Sequence, residues 1–314
     1  MAYRRLGRTG LDVSLVSLGT GGPSNFGQRT GSSYQDQYDL VHAALDMGVN
    51  FFDTASAYRD SEELLGRTLA DVPRDRYIVA TKASPFDRAD GSRVLPAGEV
   101  VRQCERSLQR MQTGVIDLYQ LHGVLPQSYD EVVEKLYPAL EGLRRDGKIR
   151  FIGVTELFFS APGHEMLVRA VPEGLWDSVM LKYGVLNQAA ARDVLPLCAQ
   201  HDVGVLNMAP VRVKLTRPAE LRELLDDWTA RGLLAPDALP AADPLAWLVQ
   251  GEVDSVISAG YKFAAEPAAI TTVLTGTSSI AHLRSNAAAI LGPPLPPEHT
   301  RRLQDVFGSI VEGA

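Results

Sequence analysis

Eight short apolar runs recur along this 314-residue chain, and each is followed by a longer stretch of helical period. The runs lie at 14–19, 49–54, 77–82, 116–122, 150–155, 178–183, 203–208 and 270–276. They are rich in β-branched and aromatic residues, and they read as continuously apolar rather than alternating. That is the pattern of strands covered on both faces. Helical periodicity is expected near 34–47, 61–70, 97–110, 128–145, 164–171, 189–201, 253–265 and 279–290, with one more helix near 299–310. Repeated strand-then-helix order calls for parallel neighbours joined by crossovers. Eight such units favour closure into an α/β structure of the (β/α)8 or TIM-barrel kind over an open doubly wound sheet. A dinucleotide-binding open sheet would also carry G-x-G-x-x-G after its first strand. Here Gly19 and Gly21 supply G-x-G, but the third position is Ser24, so the fingerprint fails.

Two segments stand outside the alternation. Residues 1–12 read as a hairpin turning at Gly7 and Gly10, expected to cap the bottom of the barrel. Between the seventh and eighth strands, 215–252 reads as an insertion of two short helices with Pro- and Ala-rich joints. An insertion there either covers a ligand over the active face or is a surface excursion. The whole of 1–314 is expected to form one barrel domain, since 45% hydrophobic residues allow a large core.

Charge and cysteine usage exclude several function classes. The formal net charge of −7, with signs interspersed, is no footprint for nucleic acid. Cys104 and Cys198 fall in different predicted helices, which argues against a disulfide scaffold or a zinc site, and no metal is expected. The start MAYRRLGRTG lacks the apolar stretch of a signal peptide, and no run is long enough for a membrane span. A reducing cytoplasm is the expected location.

The C-terminal ends of barrel strands form the active face. The second strand ends in Asp53, the third in Lys82 and the fourth in His122, and Tyr58 lies in the loop after the second. A phenol is a poor proton donor at neutral pH unless a nearby ammonium stabilises its phenolate. A carboxylate keeps that ammonium charged and oriented, and an imidazole can hydrogen-bond a substrate oxygen or relay a proton. Such a set polarises a carbonyl while another agent delivers hydride. No side chain is a hydride donor, so a nicotinamide cofactor is implied. Singly, each residue has an ordinary explanation: Asp53 as a helix cap, Lys82 as a surface lysine, His122 as a core histidine, Tyr58 as a loop aromatic. Their joint arrival on consecutive units is what those explanations do not cover.

The segments GVNFFDTASAY (48–58), SEELLG (61–66), VATK (79–82), DLYQLH (117–122), GKIRFIGV (147–154) and GTSSIAHLRSN (276–286) resemble the aldo-keto reductase family in order and spacing. The likeness covers essentially the whole chain. It implies Tyr58 as proton donor, Lys82 as its pKa-lowering partner, Asp53 as the lysine's counter-ion and His122 as the group orienting the carbonyl. It also implies a nicotinamide dinucleotide lying extended across the barrel mouth. Gly19, Thr20 and Asp53 would border it, as would Gly276, Thr277, Ser278, Ser279, His282 and Asn286, where backbone N–H groups opening a helix make a phosphate cradle.

Departures from the family concern the nicotinamide end. The usual Ser-Asn after the fifth strand is Thr155-Glu156, with nearby Lys182 as a candidate partner for Glu156. The usual Gln of the sixth strand corresponds to Met180, and the aromatic near the end of the seventh to Met208. Arg212 and Lys214 are candidate pyrophosphate contacts or a solvated basic loop. The family habit favours NADP. The lack of a Lys or Arg in the usual 2′-phosphate positions, with Arg284 the only strong cation nearby, keeps NAD open. Phe26, Phe86, Phe158 and Phe159 are candidates to wall a substrate pocket. The leading reading is an NAD(P)-dependent oxidoreductase interconverting a small aldehyde, ketone or sugar with its alcohol. The alternative is a non-catalytic nucleotide-binding sensor or accessory subunit. Substrate identity and oligomeric state are not legible.

Overall fold

The computed structural model describes residues 1–87, 89–211 and 214–313. Strands β1 (Tyr3–Arg5) and β2 (Asp12–Ser14) form an antiparallel hairpin. The strands β3 (Val16–Gly19), β4 (Phe51–Asp53), β5 (Ile78–Ala83), β6 (Ile116–Val124), β7 (Ile149–Glu156), β8 (Ser178–Leu181), β9 (Gly204–Asn207) and β10 (Thr272–Thr275) close into a parallel barrel, in chain order, with β10 pairing β3. The eight-unit barrel with its hairpin is thus as expected from the alternation. The predicted first run, 14–19, divides between hairpin and barrel.

Around the barrel lie α1 (Tyr34–Asp46), α2 (Ser61–Thr68), α3 (Ala97–Arg110), α4 (Tyr129–Arg145), α5 (Glu165–Ala170), α6 (Ala189–Asp193), α7 (Leu195–Gln200), α8 (Pro218–Ala230), α9 (Val256–Ala265), α10 (Ile280–Leu291) and α11 (Pro297–Phe307). The single helix expected at 189–201 is two, because Pro196 cannot continue a helix begun at Ala189 but suits the first turn of a new one. The insertion holds one α-helix, α8, and a 3₁₀ turn at Ala246–Leu248 rather than two helices. Helix α1 opens on a capping box in which the Ser33 hydroxyl accepts from the Asp36 N–H and the Asp36 carboxylate accepts from the Ser33 N–H.

Strand parity assigns side chains to two cores. Phe51, Ile78, Ala80, Leu118, Met180, Leu206 and Leu274 fill the barrel interior, while Phe52, Val79, Tyr119, Val154, Val179 and Val205 pack outward under the helices. Successive side chains on a strand point to opposite faces. Asp53, Lys82 and His122 share the parity of Phe51, Ala80 and Leu118, so the interior face carries them to the barrel mouth.

The other end is sealed by the hairpin. Leu6 is fully buried with Phe51, Leu118 and Leu206. Gly7 has φ +48, and a Cβ there would lie 2.3 Å from the Gly204 nitrogen; a Cβ on Gly204 would lie 2.4 Å from Leu6. Both glycines are therefore required by this close approach. Arg5 forks onto the Asp202 carboxylate (2.7 and 3.0 Å), fastening the cap. Both thiols are free and buried, and burial pushes each up to about 12, so neither is a ready nucleophile. Among the described residues no helix is long and apolar enough to cross a membrane.

Candidate active site

Lys82 Nζ is wholly buried and lies 2.8 and 2.6 Å from the two Asp53 carboxylate oxygens and 2.7 Å from the Thr54 carbonyl. Three acceptors around one nitrogen match the three donors of an ammonium. Burial works against that charge. The charges and hydrogen bonds of Asp53 and Tyr58 more than offset it, and the Lys82 pKa lies above its ordinary value. The Gln120 amide adds a contact to Asp53 at 3.4 Å.

Tyr58 is placed by a turn in which its N–H donates to the Ala55 carbonyl (3.0 Å), while the Ser56 hydroxyl donates to the Lys82 carbonyl (2.9 Å). The loop after β3 braces this turn: Gln28 donates to Ser61 Oγ (2.9 Å) and to the Tyr58 carbonyl (3.4 Å). Gly21 lies flat against the Tyr58 ring, where a Cβ would approach to 2.6 Å. The ring centre is 5.1 Å from Lys82 Nζ, and the ring meets His122 edge-on at 5.6 Å. His122 is part-covered. Burial, with the Lys82 ammonium behind it, pushes its pKa down to about 3, so the imidazole is neutral at ordinary pH.

Asp53, Tyr58 and His122 border a cavity of about 630 Å3. Its wall also includes Gly19, Thr155, Glu156, Met180 and Met208 near the strand ends, and Gly276, Thr277, His282 and Asn286 toward α10. Lys82 stands behind Asp53 and does not line it. Several residues anticipated as cofactor contacts are engaged with the protein itself. Thr20 is buried and donates through N–H and hydroxyl to the Asp53 carbonyl (2.9 and 3.2 Å). Ser278 meets Thr30 across the cleft (3.2 Å), Ser279 caps α10 by accepting from the His282 N–H, and Lys214 faces Glu220 at 3.6 Å. Arg212 lies outside the described residues. Arg284 is exposed.

Glu156 differs in detail from expectation. Its carboxylate takes the backbone N–H of Lys182 (3.0 Å) and the His164 ring at Nδ1 (2.7 Å), and burial pushes its pKa up against the pull of His164. The Lys182 ammonium lies over the Phe158 and Phe159 rings, 5.0 and 5.5 Å from their centres. Thr155 Oγ1 accepts from the Gly123 N–H (2.7 Å), made possible by the bulge where Gly123 adopts φ +70. Of the four phenylalanines considered, Phe158 and Phe159 wall the cavity. Phe26 and Phe86 are buried in the core instead, Phe26 held by a Gln37 hydrogen bond to its carbonyl and Phe86 by its bridge to Val94. The start of the insertion joins the wall through Thr216 and Arg217, and α9 joins it through its cap Ser255 and through Ile257 and Tyr261. None of the five was singled out from the sequence, because the helical period expected at 253–265 does not say which of its residues reach the mouth, and 215–252 carries no motif.

A model of the aldo/keto reductase family matches residues 17–307. L-galactose dehydrogenase of Arabidopsis thaliana is 32% identical over 301 residues, covering 91% of this chain and 87% of that protein. D-threo-aldose 1-dehydrogenase of a Pseudomonas species is 27% identical, covering 88% and 89%. Among solved structures, an aldo-keto reductase from Bacillus halodurans superposes with TM-score 0.74 at 24% identity, covering 99% and 98%. One from Klebsiella pneumoniae, in complex with NADPH, gives 0.65 at 25% identity, covering 98% and 96%. With the barrel closed, the polar group gathered at its mouth and the family match spanning nearly its full length, the chain belongs to the aldo/keto reductase family of oxidoreductases.

Proposed function

We propose that this chain interconverts an aldehyde or ketone, sugars included, with the corresponding alcohol, using NADP(H) or NAD(H) and Tyr58 as proton donor. The observation that carries this reading is the buried Lys82–Asp53 pair set beneath the Tyr58 ring, on a cavity that His122 also borders.

The cavity fits a nicotinamide dinucleotide in its chemistry. Gly276 lies beside the Gly19 and Gly21 carbonyls, 3.8 and 3.6 Å from where its Cβ would stand, and all three glycines line this end of the cavity. Thr277 and His282 bring the N-terminus of α10 to the cavity, where N–H groups and the helix dipole suit phosphate. Asn286 would reach the adenine, while Thr155 and Glu156 offer a hydroxyl and a carboxylate to the nicotinamide carboxamide. Met180 and Met208 offer polarizable apolar surface to its ring. When bound, the nicotinamide supplies or accepts the hydride. The NADPH complex of the Klebsiella relative supports NADP(H) as first choice.

The chain's own residues manage the proton. Tyr58 Oη holds the proton destined for the carbonyl oxygen, and the Lys82 ammonium stabilises the charge left on the phenolic oxygen. Asp53 keeps that ammonium in place. Neutral His122, edge-on to the phenol, orients the carbonyl by a hydrogen bond without adding a competing acid. In the alcohol-oxidising direction the same atoms take the proton back. Cofactor absorbance followed with aldehydes, ketones and aldoses, using NADPH and NADH in parallel, tests the reading. Turnover with at least one carbonyl class is expected, and no turnover and no cofactor binding would overturn it.

A further inference from the structure

One buried polar side chain of the barrel interior has no part in the proton transfer itself. Lys82, Gln120, Gly153, Ser178 and Gly204 are successive partners in register across β5, β6, β7, β8 and β9, so they form one layer of the barrel. Lys82, Gln120 and Ser178 are wholly buried. Gln120 Oε1 and Ser178 Oγ have no hydrogen-bond partner among the described residues. Leaving a buried carbonyl without a donor costs stability, and a methionine of similar volume would fill the same place without that cost. The Gln120 side chain also needs room that its neighbour provides: a Cβ on Gly153 would lie 2.9 Å from Gln120 Cγ and 2.7 Å from Ser178 Oγ.

We propose that Gln120 is a positioning residue for the proton donor: its amide steadies Asp53 so that the Lys82 ammonium stays centred beneath Tyr58, and Gly153 is the gap that admits it. This rests on the proton-donor reading of Tyr58. Gln120 Nε2 donates to Asp53 Oδ1 at 3.4 Å, the oxygen that stands 2.8 Å from Lys82 Nζ, while Oδ2 stands at 2.6 Å. Among the described residues, Lys82 and Gln120 are the only side chains bonded to this carboxylate. A carboxylate held by one ammonium alone can turn about its own bond and draw the ammonium with it. A second donor from a different strand removes that freedom. The amide is neutral, so it fixes Asp53 without competing for the charge that Lys82 presents to Tyr58. It also favours the ionised carboxylate, against the burial that pushes the Asp53 pKa up. The other titratable groups facing Asp53 are Lys82, Tyr58 and the neutral His122.

The test is the pH profile of kcat in the wild type, Gln120→Met and Gln120→Asn, with melting curves and cofactor titration on the same samples. Met keeps the volume and deletes the amide, whereas Asn keeps the amide but is one methylene too short to reach. Protonating Asp53 would unseat Lys82, so the acid limb of kcat reports that event. Losing the donor should move this limb up by about 0.5–1 pH unit, the equivalent of roughly 3–10-fold for an ordinary hydrogen bond. KM and the cofactor dissociation constant should stay within about 2-fold. Gln120→Met should melt within about 3 °C of the wild type or above it, since Asp53 keeps its ammonium. If the Met variant fails to fold, the Asn variant carries the comparison. An acid limb that stays put or moves down, or a loss confined to KM, would overturn the proposal and leave Gln120 a packing residue. With Tyr58→Phe inactive in the same assay, that failure touches Gln120 alone. A Tyr58→Phe enzyme as fast as the wild type removes the proton-donor reading, and the Gln120 proposal with it.

Discussion

Replacing Lys82 by Met tests the energetics on which the site depends. The substitution keeps the length and apolar stem of the side chain and deletes only the ammonium, so packing in the barrel interior is nearly conserved. What changes is Asp53. Its carboxylate is 3% exposed, loses its bonds at 2.6 and 2.8 Å, and keeps only the Gln120 amide at 3.4 Å. Breaking a buried ion pair from one side costs about 3–5 kcal/mol, because the remaining charge is left without a partner. With an unfolding entropy of about 2.1 cal/mol/K per residue, a chain of this length should melt roughly 5–8 °C lower. Adding Asp53→Asn to Lys82→Met removes the orphan charge and should recover at least about half of the loss. The assay is urea and thermal unfolding by circular dichroism on the wild type, both single variants and the double variant. A double variant less stable than Lys82→Met alone would refute the argument, since the cost would then lie in lost packing or hydrogen bonds rather than in an unpaired buried charge.

Three further outcomes follow from the same geometry. Tyr58→Phe should bind cofactor normally in a fluorescence titration while its turnover falls roughly 10²–10⁴-fold, the usual worth of a positioned proton donor. Gly21→Ala places a Cβ 2.6 Å from the Tyr58 ring; turnover should drop with a stability loss of only about 1–3 kcal/mol, measured by activity and melting on one sample. His122, held down to about 3 when folded against about 6.5 when unfolded, contributes stability that is full above pH 6.5 and lost as pH falls toward 3. Between pH 8 and pH 5 about 1–2 kcal/mol should disappear, and His122→Gln should remove that part of the slope in pH-dependent unfolding.

The sequence carries the barrel and the positions of Asp53, Lys82 and His122 at its mouth because both depend on strand parity. Asp53 and Lys82 sit two residues on from the inward Phe51 and Ala80, and His122 sits four on from Leu118, a regularity visible without coordinates. Pro196 within the 189–201 segment was a legible break as well, since proline in a helix interior removes a hydrogen bond. Other contacts depend on how irregular backbone folds back. His164 reaches Glu156 from eight residues away through a left-handed φ of 60°, and no periodicity announces that approach. Thr30 meets Ser278 from 248 residues away. Arg217 joins the cavity wall from the turn before α8, where no motif marks it.

The hairpin cap has a kinetic corollary. With Leu6 seated among Phe51, Leu118 and Leu206, and backbone packed on backbone at Gly7 and Gly204, the barrel is a cul-de-sac. Two molecules sharing it must use one doorway, so the deeper guest arrives first and departs last. The side chains packed between the hairpin and the mouth close that lower end, so loosening the plug would cost stability without opening a second route.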